Sequence, residues 1–363
     1  MAQADRAAAP TGDGLPPSDG VAPSDGVPSR DAVPSFGGAA SRPGRGWSWG
    51  VDGRGRNTWR RGPVIAALAL LTTLLLALHS QVPNGVGNLG SLLETFLPWI
   101  GLAVPVLLAL ALWRRSATAL VAITLPAVVW LNLFGGLLTD KSSGKGDWTV
   151  LTHNVAAANT DPAGTVKLLK DSGAQIVALQ ELAGSHLRTY ESGLAETYPY
   201  HAVEGTVGLW SKYPISGVSV VDIRIGWTRA FRAQVTTPQG PVAVFVAHLP
   251  SVRVKFDSGF TAGQRDMSAQ ALGDAIQAES LKKVLLLGDL NGTMNDRSLA
   301  PITSQMRSAQ GAAGDGFGFS WPDAFPMARI DQILSRGGLK PTDSRVLGSD
   351  GSDHRAVSAD YKY

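Results

Sequence analysis

The chain contains no cysteine, which excludes disulfides, thiolate metal sites and a cysteine nucleophile, and is compatible with either side of a bacterial membrane. Any metal it binds must rest on oxygen or imidazole ligands. It also lacks an excess of one charge: 32 basic residues stand against 29 acidic ones, a formal net charge of +3, too balanced to mark a nucleic-acid binder or an acidic substrate. Two absences are local. Residues 1–62 repeat short Pro, Ser, Gly, Asp and Ala phrases with almost no large aliphatic side chains, and such a segment cannot bury enough apolar surface to offset its chain entropy. It reads as a disordered cytoplasmic tail. The stretch from His79 to Ser91 has no Lys or Arg at all.

Three long apolar runs follow the tail, Pro63 to Leu78, Leu92 to Trp113 and Ala117 to Leu138, each close to the roughly 20 residues needed to cross a bilayer. They predict three transmembrane helices over 63–138. Glu94, the one charge inside them, fits an interfacial position, and no ion-path role is expected of it or of Asn132. Arg54, Arg56, Arg60 and Arg61 precede the first run, and Arg114 and Arg115 separate the second from the third. Basic residues at span ends are retained in the cytoplasm. The N-terminus is therefore expected inside and everything after Leu138 outside, in a multi-pass protein of the cell membrane. Lys141 and Lys145 weaken the contrast, and Arg60-Arg61 also has the form of a twin-arginine export signal.

After a linker over 139–146, the composition changes over 147–363 to short β-rich runs between helical stretches and Gly/Pro turns. Trp148 to Thr152, Gln175 to Gln180, Val242 to His248 and Val284 to Gly288 are apolar runs of strand length. Asp161-Pro162 is a helix start and Gly173 a C-cap. A second helix is expected from about Thr261 to Ser280, with Ala269, Leu272 and Ile276 on one face. The mixture predicts an α+β or layered α/β domain.

Conspicuous polar residues stand at the ends of these runs: Thr152-His153-Asn154, Gln180-Glu181, Ala247-His248 and Gly288-Asp289-Leu290-Asn291. Arg329-Ile330-Asp331 and Ser352-Asp353-His354 follow towards the C-terminus. Metal-assisted phosphate hydrolysis needs this inventory: a carboxylate for a hard cation, donors for phosphoryl oxygens, and a base oriented by a second carboxylate. Singly, each has an ordinary structural reading as a helix cap or turn residue.

Taken in order, these motifs resemble those of the endonuclease/exonuclease/phosphatase superfamily, the DNase I-like proteins. The resemblance implies an α/β (α+β) four-layer sandwich with the active site at one edge, and a magnesium cofactor with manganese as the alternative. It implies Glu181 as the principal metal ligand, with Asn154 and Asp353 as further metal contacts. Asp289 would orient or deprotonate the attacking water and Asn291 would stabilise the transition state. His354, oriented by Asp331, and His248 would contact the phosphate or serve as base or acid. Arg229 and Arg232 are candidates for substrate phosphate, against an alternating exposed strand face as the plainer account. His153 and His201 read as structural, as does the turn from Trp210 to Pro214. One departure is Ala156, where many nucleases of the superfamily carry an acidic residue two positions after the first-strand Asn.

The layout of tail, three spans and extracytoplasmic phosphoesterase domain resembles the teicoplanin-resistance membrane proteins of actinobacteria, the VanJ and StaP type. That implies hydrolysis of a lipid-linked phosphate or diphosphate of wall synthesis, with a membrane lipid as partner and no nucleic acid. The alternatives are an extracytoplasmic nuclease or sphingomyelinase-like phosphodiesterase, and a non-catalytic module that binds lipid or drug. The 147–363 region shows no dense Lys/Arg run of the kind that neutralises duplex phosphates.

Overall fold

A computed structural model describes residues 55–182, 184–255 and 259–362. The tail expected over 1–62 lies, up to residue 54, outside them.

Two helical runs among the described residues, Leu97–Arg114 and Ala117–Leu137, are long and apolar enough to cross a membrane. After the short α1 (Gly55–Arg60), α2 (Pro63–Ala77) has only 15 residues, about 22 Å at the helical rise and short of a bilayer's roughly 30 Å core. Three full spans are thus not found. The second expected span also begins later than the sequence indicates. Leu89–Thr95 forms a separate helix, α3, which stops at Phe96. A 3-10 turn over Leu97–Leu102, with Pro98 in its first turn, leads into α4 (Ala103–Arg114). Proline there lacks the N–H that would have continued α3. α5 (Ala117–Phe134) starts on Ser116, whose hydroxyl accepts from the Ala119 amide at 3.2 Å. Ile65, Ala69, Leu107, Ala111, Ala119 and Ile123 pack α2, α4 and α5 together, small residues alternating with large ones as close helix approach requires. The outer faces carry exposed Leu and Val throughout.

The strands are β1 (Trp148–Asn154), β2 (Ile176–Gln180), β3 (Tyr200–Glu204), β4 (Val207–Ser211), β5 (Ile215–Val220), β6 (Ala230–Thr237) and β7 (Gly240–His248). They continue with β8 (Val254–Lys255), β9 (Gly259–Phe260), β10 (Val284–Asp289), β11 (Arg307–Ser308), β12 (Asp331–Arg336), β13 (Lys340–Val346) and β14 (Val357–Lys362). Among the described residues they make two mixed six-stranded sheets, β13-β14-β1-β2-β4-β3 and β11-β12-β10-β7-β6-β5, and a small β8-β9 ribbon. Central strands such as β10, Val-Leu-Leu-Leu-Gly-Asp, are buried on both faces, which accounts for their unbroken apolar runs.

The inner faces meet through Val150, Ile176, Phe231, Val244, Leu285 and Ile333. α6 (Pro162–Asp171) and α7 (Gly184–Leu194) cover the outside of the first sheet, and α8 (Gly263–Gln277) covers the second. The Asp161 carboxylate caps α6 by accepting from the Gly164 amide at 2.8 Å. Ala269, Leu272 and Ile276 form the buried face of α8. The result is helix, sheet, sheet and helix in layers.

The connection 139–146 is bonded to the domain rather than free. The Ser143 and Asp147 amides donate to the carbonyls of Thr342 and Tyr361 at 2.8 Å each.

Candidate active site at the seam of sandwich and apolar helices

In each sheet one parallel pair, β1 with β2 and β7 with β10, brings strand C-termini to the same edge. Asn154 lies beside Gln180, and Asp289 lies between His248 on β7 and Asp331 on antiparallel β12. Gly288 lets β7 and β10 approach, since a Cβ there would meet the Ala247 carbonyl. Just beyond the strand ends, Ala156, Glu181 and Asn291 adopt φ of 55°, 59° and 45°. Each left-handed non-glycine residue costs about 1–2 kcal/mol, and such strain gathers where backbone must aim a functional side chain.

Asn154 bridges two carboxylates: its Nδ2 donates to Glu181 Oε1 at 3.3 Å and to Asp289 Oδ2 at 3.0 Å. Its Oδ1 accepts from the Ala156 amide at 3.0 Å. Asn154 thus positions both carboxylates, and its oxygen keeps a second lone pair beside the backbone hydrogen bond. Glu181 Oε2 accepts from the Ala157 amide at 3.0 Å, and the side chain is 36% exposed to the cleft. Asp289 Oδ1 accepts from the Asn291 amide at 2.8 Å, and Asn291 Nδ2 reaches Asp289 Oδ2 at 3.3 Å and the Leu249 carbonyl at 2.9 Å. Burial pushes the Asp289 carboxyl up to about 7, held back in part by the charge on His354 and by Asn154 and Asn291.

His354 Nδ1 meets Asp331 Oδ2 at 2.9 Å, and the same oxygen accepts from Ser320 Oγ at 2.6 Å. Its Nε2 faces Asp289 Oδ2 at 3.9 Å. Burial works to lower the His354 pKa, but the charge and hydrogen bond of Asp331, with Asp289 and Asp353, prevail and raise it to about 10. His248 Nε2 lies 3.5 Å from Asp289 Oδ2 and 3.7 Å from Glu181 Oε1. Burial, then the charges of Arg229 and His354, hold His248 well below its ordinary value. One imidazole is thus kept cationic and the other neutral.

Arg229 is half-buried against the His248 ring, within the field of Asp289 and Glu181, not on an exposed strand face. Arg232 is turned away and corrects its candidacy: Nε and Nη2 bind the Glu279 carboxylate at 2.8 and 3.2 Å. Asp353 is exposed at the cleft rim. His153 is buried on Asp350 at 2.8 Å and His201 stacks on Trp210, both structural.

Among the described residues, Asp289, Asp331 and His354 could share a metal, their ligand atoms lying within 4.8 Å of one another. Asp331 Oδ2 serves His354 and Ser320 while its Oδ1 has no hydrogen-bond partner among the described residues, so the trio also forms an oriented Asp-His pair facing the Asp289 carboxylate. A hard divalent cation is suited as well by the Glu181 side, where Asn154 ties Glu181 and Asp289 together at the open cleft.

Several site residues carry no sequence signal. Ser320 lies in a Gly-rich stretch, and Trp321 sits 6.5 Å from the His354 ring. Thr95 and Phe96, from the segment read as a span, line the same cleft of about 490 Å³ as Glu181, His248, Asp289 and His354. Glu94, expected at an interfacial position, is fully buried against the domain just before the run that begins at Leu97. It pairs with Arg297 at 3.0 Å and with His79 at 3.2 Å. Ser91 Oγ donates to Asp296 at 3.4 Å, and Asn88 Nδ2 to the Phe260 carbonyl at 2.6 Å. Signal for this break existed in Glu94 followed four residues later by Pro98.

Paired carboxylates and an Asp-His pair at the edge of a two-sheet sandwich define a class, the hydrolases of phosphate esters. The model of the Endonuclease/Exonuclease/phosphatase family matches residues 151–354, and the chain belongs to that family. Its members act on phosphodiester and phosphate ester bonds and typically depend on a divalent metal. No curated protein matches the chain in sequence. Among solved structures, D. rerio TDP2 complexed with a single-strand DNA product is 17% identical with a TM-score of 0.50, over 58% of this chain and 97% of that one. An endonuclease/exonuclease/phosphatase from Bacteroides vulgatus is 17% identical with a TM-score of 0.50, over 59% and 98%. At these identities the likeness establishes the fold.

Proposed function

We propose that the protein is a membrane-anchored phosphoesterase of the cell envelope that hydrolyses a lipid-linked phosphate or diphosphate, with its N-terminus cytoplasmic and its catalytic domain outside. A role in glycopeptide resistance would follow from such action on wall precursors. The observation that carries this reading is the presence of Thr95 and Phe96, at the head of an apolar helical run, in the wall of the catalytic cleft. Only 17% of each spanning window is buried, unlike the core helices of a soluble domain. Exposed Leu and Val faces of that kind are suited to hydrocarbon.

In this reading Glu181 holds the divalent ion, with Asp289 and Asp353 at hand. Bound there, the ion would polarise the phosphoryl group and offset its charge. Asp289, buried beside His354 and held by Asn154 and Asn291, takes the proton of an attacking water. Asn291 steadies that carboxylate through its backbone and side-chain amides while lining the cleft. His354, kept cationic by Asp331, donates to a phosphoryl oxygen or the leaving group. Arg229 and neutral His248 bind the remaining oxygens, a guanidinium being well matched to phosphate.

The test is to give purified full-length protein, with Mg²⁺, undecaprenyl diphosphate in detergent and plasmid DNA in parallel. Phosphate release without nicking is expected. Efficient nicking with no phosphate released would replace this reading with the nuclease alternative.

A further inference from the structure

Two further cavities follow the seam away from the catalytic cleft. One of about 210 Å³ shares Thr95 with the cleft, and one of about 530 Å³ shares Pro98, Phe317 and Phe319 with the second. The larger of the two lies where the two spanning helices meet the catalytic domain. Leu102, Ala127 and Leu131 line it from the spans, and Leu102 and Leu131 are otherwise exposed.

Its wall offers a ligand almost nothing polar. The indole N–H of Trp99 donates to the Met327 carbonyl and that of Trp130 to the Pro98 carbonyl, each at 2.8 Å. The aromatic rings therefore present apolar surface with their donors already satisfied. Phe317, Phe319 and Trp99 stack, with centroids 5.2 and 5.6 Å apart. Phe319 also leads directly into Ser320, which holds Asp331, and Trp321, which lines the cleft. One short stretch of chain thus borders both the apolar cavity and the catalytic Asp-His pair.

From this juxtaposition we infer that the seam is the binding site for the hydrocarbon chain of the substrate. The phosphate sits in the cleft, and the chain passes Thr95 into the cavity between Trp99, Ala127 and Phe319, entering sideways from the bilayer. The inference rests on the lipid-phosphate reading above and adds where the tail goes. A cavity of this size is ordinary for a small-molecule site, and such sites are mostly apolar with few polar groups at one end.

Ala127→Trp and Leu131→Trp each fill the cavity from the membrane side, far from the phosphate. Full-length wild type and both variants are assayed in nanodiscs on undecaprenyl diphosphate, geranyl diphosphate and a soluble aryl phosphate ester. The KM for the long isoprenyl substrate should rise about tenfold or more in the variants, the equivalent of roughly two lost buried methylenes. Turnover of the short and soluble substrates should be unchanged, which also certifies the fold. Unchanged KM for the long substrate in a variant that still cleaves the soluble ester would overturn the tail site alone. Wild type that cleaves the soluble ester but neither isoprenyl diphosphate would instead overturn the lipid-phosphate reading, and the tail site with it.

Discussion

Strand ends build one side of the candidate cleft and α3, at the head of an apolar helical run, builds the other, and the two are held by different forces. His248, Asp289 and Asp331 stand side by side because backbone ladders align β7, β10 and β12. Thr95 and Phe96 reach the cleft because side chains fasten α3: Glu94 on Arg297 and His79, Ser91 on Asp296, Asn88 on Phe260. The ladder side should tolerate loss of a catalytic side chain without losing its shape. The fastened side depends on individual polar pairs.

The largest effect is expected on the ladder side. Glu181→Ala, Asp289→Ala and His354→Ala should each lower kcat by about 10²- to 10⁴-fold with circular dichroism unchanged, and EDTA should do the same to wild type. Near-normal turnover by folded Asp289→Ala would remove its role as base.

Next comes Asp331→Asn, which leaves His354 in place but removes the charge that raises it to about 10. A raised histidine is fully cationic below its ordinary 6.5 and loses its proton only as pH rises through about 10. Without Asp331 the loss moves down towards 6.5. The variant's kcat should therefore fall away on the alkaline side at lower pH than that of wild type. Parallel pH profiles would argue against His354 acting as a cation.

Breaking the fastened side should cost stability. Glu94→Ala leaves His79 and Arg297 without their carboxylate. Severing a buried pair typically costs about 3–5 kcal/mol, and because the Arg297 side chain is 31% exposed about 2 kcal/mol is expected here. Thermal unfolding of the full-length protein measures it, with Glu94→Gln expected to lose less. The smallest effect on activity is that of Arg232→Ala, which severs a mostly buried pair on Glu279 and should cost about 2 kcal/mol of stability with kcat and KM unchanged. Arg229→Ala should raise KM.

The difference between the two sides also governs what the sequence reveals. β1, β2, β7 and β10 are legible as apolar runs with a polar residue at each end, because buried strands leave that pattern. Asp289 and Glu181 could be picked out for the same reason, and His354 through its place in the motif order. Ser320 could not, since a serine in a Gly-rich loop carries no periodicity. Thr95 and Phe96 were hidden because their apolar neighbours extend the hydrophobic pattern of a span, while the break between α3 and the span depends on a partner, Arg297, some two hundred positions away. Arg229 and Arg232 look alike in sequence, and only the course of β6 separates them.

The central claim is that the apolar N-terminal helical segment forms a wall of the active site, and the absence of cysteine makes it directly measurable. In Phe96→Cys the new thiol is the only one in the chain. A bulky maleimide attached to it should abolish hydrolysis of a soluble aryl phosphate ester, and inorganic phosphate with Mg²⁺ should slow the labelling. Complete labelling with full activity retained would contradict the account.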